Sequence, residues 1–305
     1  MEQAVNIGSL SLKNPVLTAS GTFGYGVEYA PFGDLRQLGA VVVKGLSLEP
    51  RPGNTGRRVA ETPCGMLNSI GLQNMGAGRF VRQVLPRLPW DQTPVVANIY
   101  AGDYAEFSEL AAYLAEQEGI AALEVNISCP NVKAGGARFG QDPEMAARAC
   151  GAVREQARGK PVIVKLSPDV TDVTEIARAV EEAGADALSL INTLTGMAVD
   201  IRSRRPVLGN VVGGLSGPAI KPVALQAVYR VCNSVGIPVI GVGGISSAED
   251  ALEFILVGAR AIQVGSASFS DPQLAFSMVS RIQELCRELG ISSWEEFRGS
   301  LEMDP

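Results

Sequence analysis

The chain contains no histidine. General acid–base chemistry must therefore fall to Cys, Lys, Asp, Glu or Tyr. Its five cysteines, at 64, 129, 150, 232 and 286, are scattered and form no C-x-x-C pair. That excludes the spacing of a disulfide framework, a zinc site or an iron–sulfur cluster, so no metal is expected. No apolar run approaches the roughly 18 residues that a membrane span needs. Met1-Glu-Gln-Ala4 has neither a basic n-region nor an apolar h-region, so no secretory signal is expected. Lys and Arg form no block and the formal charge is −6, which leaves no electrostatic footprint for nucleic acid. A cytoplasmic protein that engages neither nucleic acid nor membrane is the expectation.

The chain has 305 residues, 46% of them apolar, ample for a large core. Residues 6–13 alternate around turn residues and predict a short N-terminal hairpin. A unit then repeats: an apolar strand run, a polar or Gly residue, a loop, a helix and a further Gly. The strand runs are Val16–Ala19, Ala40–Lys44, Val95–Asn98, Ala122–Asn126, Val162–Lys165, Ala187–Ile191, Val239–Val242 and Ala261–Val264. Near-continuous apolar strands alternating with amphipathic helices predict a parallel sheet covered on its outer face. Eight such units in roughly 250 residues fit a (β/α)₈ TIM barrel, read as one domain over 1–305. Two loops are long, 45–74 after the second strand and 192–218 after the sixth.

Helix starts are marked by Asp103-x-x-Glu106, Asp142-Pro143, Asp172-x-x-Glu175 and Ser246-x-x-Glu249, the last read as a capping box. Gly39, Gly119, Gly184, Gly236 and Gly258 stand between a helix pattern and the next strand, which suits left-handed C′ positions.

The residues that end the strands, or begin their loops, are Ser20, Lys44, Asn98, Asn126, Lys165, Asn192, Gly243-Gly244 and Gly265-Ser266. A strand-end Asn taken singly is a turn residue more often than a ligand. Six polar or charged side chains converging on one barrel face point to a site at the barrel mouth. Gly pairs after strands seven and eight, backed by a helix start, form the usual phosphate site of a barrel. Gly213-Gly-Leu-Ser-Gly217-Pro218 repeats that logic, and a phosphorylated cofactor is its natural occupant. Lys44 and Lys165 end otherwise apolar strands, where a lysine can neutralise a carboxylate, stabilise an anionic reduced flavin or form a Schiff base. In Asn126-Ile-Ser-Cys-Pro-Asn131, Pro130 cannot continue a central strand, so the Cys129 thiol stands just past a strand end. A Gly-rich loop follows, Gly135-Gly-Ala-Arg-Phe-Gly140.

With these residues in view, the whole chain resembles class 1 dihydroorotate dehydrogenases. The specific segments are Asn68-Ser-Ile-Gly-Leu-Gln-Asn74, Asn126-Ile-Ser-Cys-Pro-Asn131, Val164-Lys-Leu-Ser-Pro168 and Ile191-Asn-Thr193. The resemblance implies oxidation of dihydroorotate to orotate on one FMN per chain, in UMP biosynthesis. It implies Cys129 as the catalytic base. Lys44, Asn68, Ser69, Ile70, Gly71, Leu72, Asn126, Asn192 and Thr193 would contact the pyrimidine. Ser20, Lys44, Gly45, Asn98, Asn126, Lys165, Ile191, Gly217, Gly243, Gly244, Gly265 and Ser266 would contact FMN. The loop 131–140 would act as a lid. The Cys base, and the lack of an N-terminal extension, separate the chain from the membrane-linked class 2 enzymes. The long Cys-Pro-Asn loop resembles the NAD-linked class 1B more than the fumarate-linked class 1A. Class 1B implies a homodimer joined into a heterotetramer with a subunit carrying FAD and a [2Fe-2S] cluster. The alternatives are a class 1A enzyme using fumarate, a Schiff-base aldolase-type barrel using Lys165, a tRNA dihydrouridine synthase and a non-enzymatic phosphate-binding barrel.

Overall fold

The computed structural model describes residues 3–128 and 139–303. Eight parallel strands form one sheet: β1 (Val16–Thr18), β2 (Val41–Val42), β3 (Val95–Ile99), β4 (Ala122–Asn126), β5 (Val162–Lys165), β6 (Ala187–Leu190), β7 (Val239–Val242) and β8 (Ala261–Val264). From β2 to β8 each strand pairs with its sequence neighbours, and β8 pairs with β1. A parallel bridge between Leu17 and Ala40 brings β1 back to β2 and closes the barrel. At that seam the Thr18 hydroxyl replaces ladder bonds, accepting from Val42 N at 2.9 Å and donating to Val42 O at 3.2 Å.

The expected strands are therefore present: β4, β5, β7 and β8 have the expected bounds, β1, β2 and β6 are trimmed by one or two residues at an end, and β3 is extended by one. The hairpin also forms, pairing Val5–Ile7 with Leu10–Leu12. Helices Tyr104–Ala115, Pro143–Arg154 and Val173–Glu182 start where expected, each capped by the Asp before it. Their apolar faces cover the barrel: Phe107, Leu110 and Leu114 are buried, as are Ile176 and Val180. No described helix is long and apolar enough to cross a membrane.

Two expectations of local structure need correction. Helix Ala248–Leu256 is capped by Ser247 with Asp250 completing the box, not by Ser246 with Glu249. Ser246 is instead bonded through its N–H and hydroxyl to Asp250, both at 2.8 Å. Of the five glycines assigned to C′ positions, only Gly184 and Gly258 have positive φ. Gly39 serves close approach: an added Cβ would run into the backbone oxygen of Asn14.

The two long loops are not irregular. Val59–Thr62 and Gly65–Asn68 from one, and Leu194–Met197 and Val212–Ser216 from the other, form a four-stranded antiparallel sheet. Its central register pairs Asn68 with Gly214 and Leu67 with Leu215, over a small apolar cluster of Ala60, Leu67 and Leu208. The contact joins segments almost 150 residues apart, so no local periodicity announces it. Its Val-Gly-Gly strand also has low intrinsic strand preference.

Candidate active site

The barrel interior ends in polar layers. Glu124, in the middle of β4, is fully buried and accepts from Asn98 Nδ2 at 2.6 Å, Ser189 Oγ at 2.9 Å and Gln263 Nε2 at 2.7 Å. Glu124, Ser189 and Gln263 come from β4, β6 and β8, the alternate-strand layering of such barrels. Asn98, on β3, is also fully buried, and its Oδ1 has no partner among the described residues. A Cβ on Gly45 would stand 2.9 Å from that oxygen, so the orphan acceptor faces the loop after β2.

Lys165 ends β5 and is 4% exposed. Among the described residues its ammonium forms no salt bridge, and its one hydrogen bond goes to Ser20 Oγ at 3.4 Å. Ser20 follows β1, so the barrel closure brings together residues 145 positions apart. Lys44 follows β2, its N–H donating to Gly24 O at 2.8 Å. Burial lowers the Lys44 pKa below 10.5 and the Arg58 charge lowers it further, while Glu28 opposes both.

The amides form a second cluster. Asn126 Oδ1 accepts from Asn192 Nδ2 at 3.3 Å and from Ser128 N at 3.2 Å, while Asn192 Oδ1 accepts from Thr193 N at 2.8 Å. The antiparallel sheet adds Asn68, whose Nδ2 donates to Gly214 O at 3.3 Å. Thr193 packs where a side chain on Gly214 would be, so Asn68, Asn192 and Thr193 share one corner of the mouth. The segment 69–72 is held from behind by Asn54, whose side-chain Nδ2 donates to Ser69 O at 3.1 Å and Ser69 Oγ at 3.0 Å and whose backbone N–H donates to Ile70 O at 2.9 Å. Gly71 and Leu72 both take positive φ, a turn that directs this backbone.

Three glycine loops follow the strand Val212–Ser216, β7 and β8. Gly243 and Gly244 follow β7 with positive φ. A Cβ on Gly244 would stand 2.9 Å from Lys221 N and 3.0 Å from Gly217 O, so the loops 217–221 and 243–244 abut backbone to backbone. Gly265 and Ser266 follow β8 beside Ala19. Ile191 is buried, its N–H donating to Val242 O at 2.8 Å. Cys129 and residues 131–138 of the expected lid lie outside the described residues.

Of the other residues expected at the site, Ser20, Lys44, Gly45, Ile191, Asn192, Thr193, Gly243, Gly244, Gly265 and Ser266 stand within three residues after a barrel strand, Asn98, Asn126 and Lys165 stand within or at the end of one, and 68–72 and Gly217 end or follow strands of the antiparallel sheet. Sequence reasoning missed Glu124, Ser189 and Gln263 beneath the mouth, and the Asp250–Lys221 pair at its phosphate-like rim, which meets at 2.6 Å. The signal for Glu124 was present: an acidic residue between Leu123 and Val125 in a strand otherwise apolar.

Comparison with known proteins agrees with this geometry. A family model described as dihydroorotate dehydrogenase matches residues 3–286. The chain is 64% identical over 303 residues to dihydroorotate dehydrogenase B (NAD(+)), catalytic subunit, of Solidesulfovibrio magneticus, spanning 99% of both. It is similar at 57% identity to the protein of the same name from Maridesulfovibrio salexigens, and at 54% to that of Geotalea daltonii, again over nearly the full length of each. The family match spans the barrel and its mouth, and the chain belongs to the dihydroorotate dehydrogenase family.

Proposed function

We propose that this chain oxidises dihydroorotate to orotate on FMN, as the catalytic subunit of an NAD-linked enzyme of pyrimidine biosynthesis. The observation that carries the reading is the full-length family match, together with the convergence of its strand-end polar residues on one mouth. FMN fits what is there. The orphaned Asn98 acceptor and the buried Lys165 ammonium suit a ring with both N–H and carbonyl or ring-nitrogen atoms, and the glycine loops offer free backbone N–H groups to a phosphate. Ser20, Lys44, Gly45, Asn98, Asn126, Lys165, Ile191, Gly217, Gly243, Gly244, Gly265 and Ser266 would hold it.

When bound, FMN supplies the two-electron acceptor for a hydride from C6 of the substrate. The protein's own residues do the rest. Lys44 offers a positive charge to the substrate carboxylate. Asn68, Asn126, Asn192 and Thr193, with the backbone of 69–72, present the mixed donors and acceptors that a pyrimidine edge requires. Cys129 removes the C5 proton in this reading. Lys165 faces negative charge that develops on the ring side of the site.

The chain is read as one domain over 1–305, supported by the pairing of β8 with β1 from opposite ends of the described chain. We also propose a cytoplasmic homodimer joined to a subunit with FAD and a [2Fe-2S] cluster, which would pass electrons to NAD⁺. The dimer is supported by apolar side chains on the excursion after β6: Met197, Val199, Val211 and Val212 are exposed and Ile201 is 85% exposed.

A spectrum of the purified chain near 450 nm, followed by anaerobic dihydroorotate, tests the reading. Bleaching of a flavin band is the expected result. A bound flavin that does not bleach would sink the substrate assignment, and absence of flavin after reconstitution would favour the Lys165 Schiff-base barrel.

A further inference from the structure

We propose that Glu124 is a positioning residue for the flavin site: its carboxylate, buried in the barrel interior, holds the Asn98 amide so that an acceptor oxygen faces the mouth. This rests on the reading of the mouth as an FMN site.

Three observations lead there. Glu124 is fully buried in the closed barrel and has no cation within salt-bridge distance among the described residues. Burial of an acid without a countercharge is costly, so its retention calls for a compensating role or a full set of donors. It has the donors: both carboxylate oxygens accept, one from Asn98 Nδ2 at 2.6 Å and the other from Ser189 Oγ and Gln263 Nε2 at 2.9 and 2.7 Å. A carboxylate offers only acceptors, so it decides which end of a neighbouring amide turns toward it. Were the Asn98 amide reversed, two oxygens would face each other at hydrogen-bond distance.

The consequence falls on the mouth. With Nδ2 drawn inward, Asn98 Oδ1 is left buried and without a partner among the described residues, 2.9 Å from where a Cβ on Gly45 would be. A buried acceptor without a donor is costly, and a ligand N–H would recover that cost. An oxidised flavin ring carries an N–H, and reduction adds another. Glu124 touches no ligand in this scheme and acts only through Asn98. Ser189 and Gln263 brace the carboxylate from β6 and β8, so that it cannot turn away from β3.

The test is a double-mutant cycle read as FMN affinity rather than turnover. The full chain is stripped of FMN and titrated with it by fluorescence quenching, for the parent, Glu124→Gln, Asn98→Ala and the double variant. Glutamine keeps the shape but places an N–H₂ among three donors, so Asn98 or Gln263 must turn and Asn98 is no longer held one way. The expected result is at least fivefold weaker FMN binding for Glu124→Gln, and less than a twofold change when the same substitution is made beside Asn98→Ala. An equal loss in both backgrounds would show general packing and overturn the proposal, as would no loss in the first. Melting of the apoprotein reports whether each variant folds; should Glu124→Gln fail, Glu124→Asp, which keeps an acceptor carboxylate but draws it back from Asn98 by one methylene, takes its place with the same expectations. If the parent itself takes up no FMN, the reading of the mouth fails, and this inference with it.

Discussion

Lys44 and Lys165 are both lysines after barrel strands, yet their surroundings differ. Lys165 is nearly sealed, with Ser20 as its hydrogen-bond partner among the described residues. Lys44 shares its neighbourhood with Arg58 and Glu28, and burial first, then Arg58, lowers its pKa below 10.5. Its folded value lies under its unfolded value, so the group binds fewer protons folded than unfolded between the two. Its contribution to stability therefore rises with pH through that window and is unfavourable below it. For binding the sign reverses, because only the protonated form attracts a carboxylate. Orotate affinity should weaken as pH rises through a value below 10.5, more steeply in the parent than in Lys44→Met. Parallel affinity–pH curves for the two proteins would remove Lys44 from the carboxylate.

The thiols divide in a similar way. Burial pushes Cys150 and Cys232 up to about 12, so both stay protonated at neutral pH and are inert as bases. Cys129→Ala is expected to keep FMN and bind orotate while losing roughly three orders of magnitude in turnover, the usual scale for a lost general base. Near-normal turnover would rule out the thiol as base. Lys165→Ala should slow reduction of the flavin by dihydroorotate, measured by anaerobic stopped flow; an unchanged rate would count against its electrostatic role.

At the scale of elements, the start of helix Ala248–Leu256 carries more than a cap. Asp250 accepts from Lys221 Nζ at 2.6 Å, Ser246 N and Oγ at 2.8 Å, and Ser247 N at 3.0 Å. These bonds tie the loop after β7 to helix Lys221–Cys232, and so set the spacing of Gly244 against Gly217. Burial alone would raise the Asp250 pKa, but the Lys221 and Ser246 donors outweigh it and hold the carboxyl below 3.8. A depressed value means that its stabilisation is present above 3.8 and is lost as pH falls through the folded value. Asp250→Asn should cost about 2 kcal/mol at neutral pH and flatten the acid limb of stability below about pH 4. Urea melts of parent and variant from pH 7 to pH 2 check this, and a constant difference across that range would refute it.

For the whole molecule, the proposed assembly turns on the excursion after β6. Ile201 lies next to the short hairpin of Val199–Asp200 with Arg205–Pro206, and no described neighbour covers it. Ile201→Glu should convert the dimer to a monomer in analytical ultracentrifugation while leaving the 450 nm flavin band intact, because the hairpin stands apart from the barrel core. A variant that stays dimeric would place the interface elsewhere.

How far the sequence alone reached follows from the range over which each signal acts. The eight strands, the N-terminal hairpin and three Asp-capped helices are local patterns of period 2 or 3.6, closed by residues a few positions away, and they were legible from the chain itself. The strand-end polar residues were legible for the same reason, since a parallel barrel sends all strand ends to one face. Register and distant pairing were not. Asn68 and Thr193 both meet Gly214 only because two long loops form a sheet together, and Ser20 reaches Lys165 only because β1 returns to β8 and β2. The cap falls at Ser247 rather than Ser246, with Asp250 also held from a distant segment by Lys221. Glu124 stands as one acidic letter in an apolar strand, and only barrel closure shows that Asn98, Ser189 and Gln263 surround it. Composition and local period determined the barrel and which residues its mouth would carry. Which side chains meet, and which end of an amide faces the ligand, was decided by contacts between distant segments.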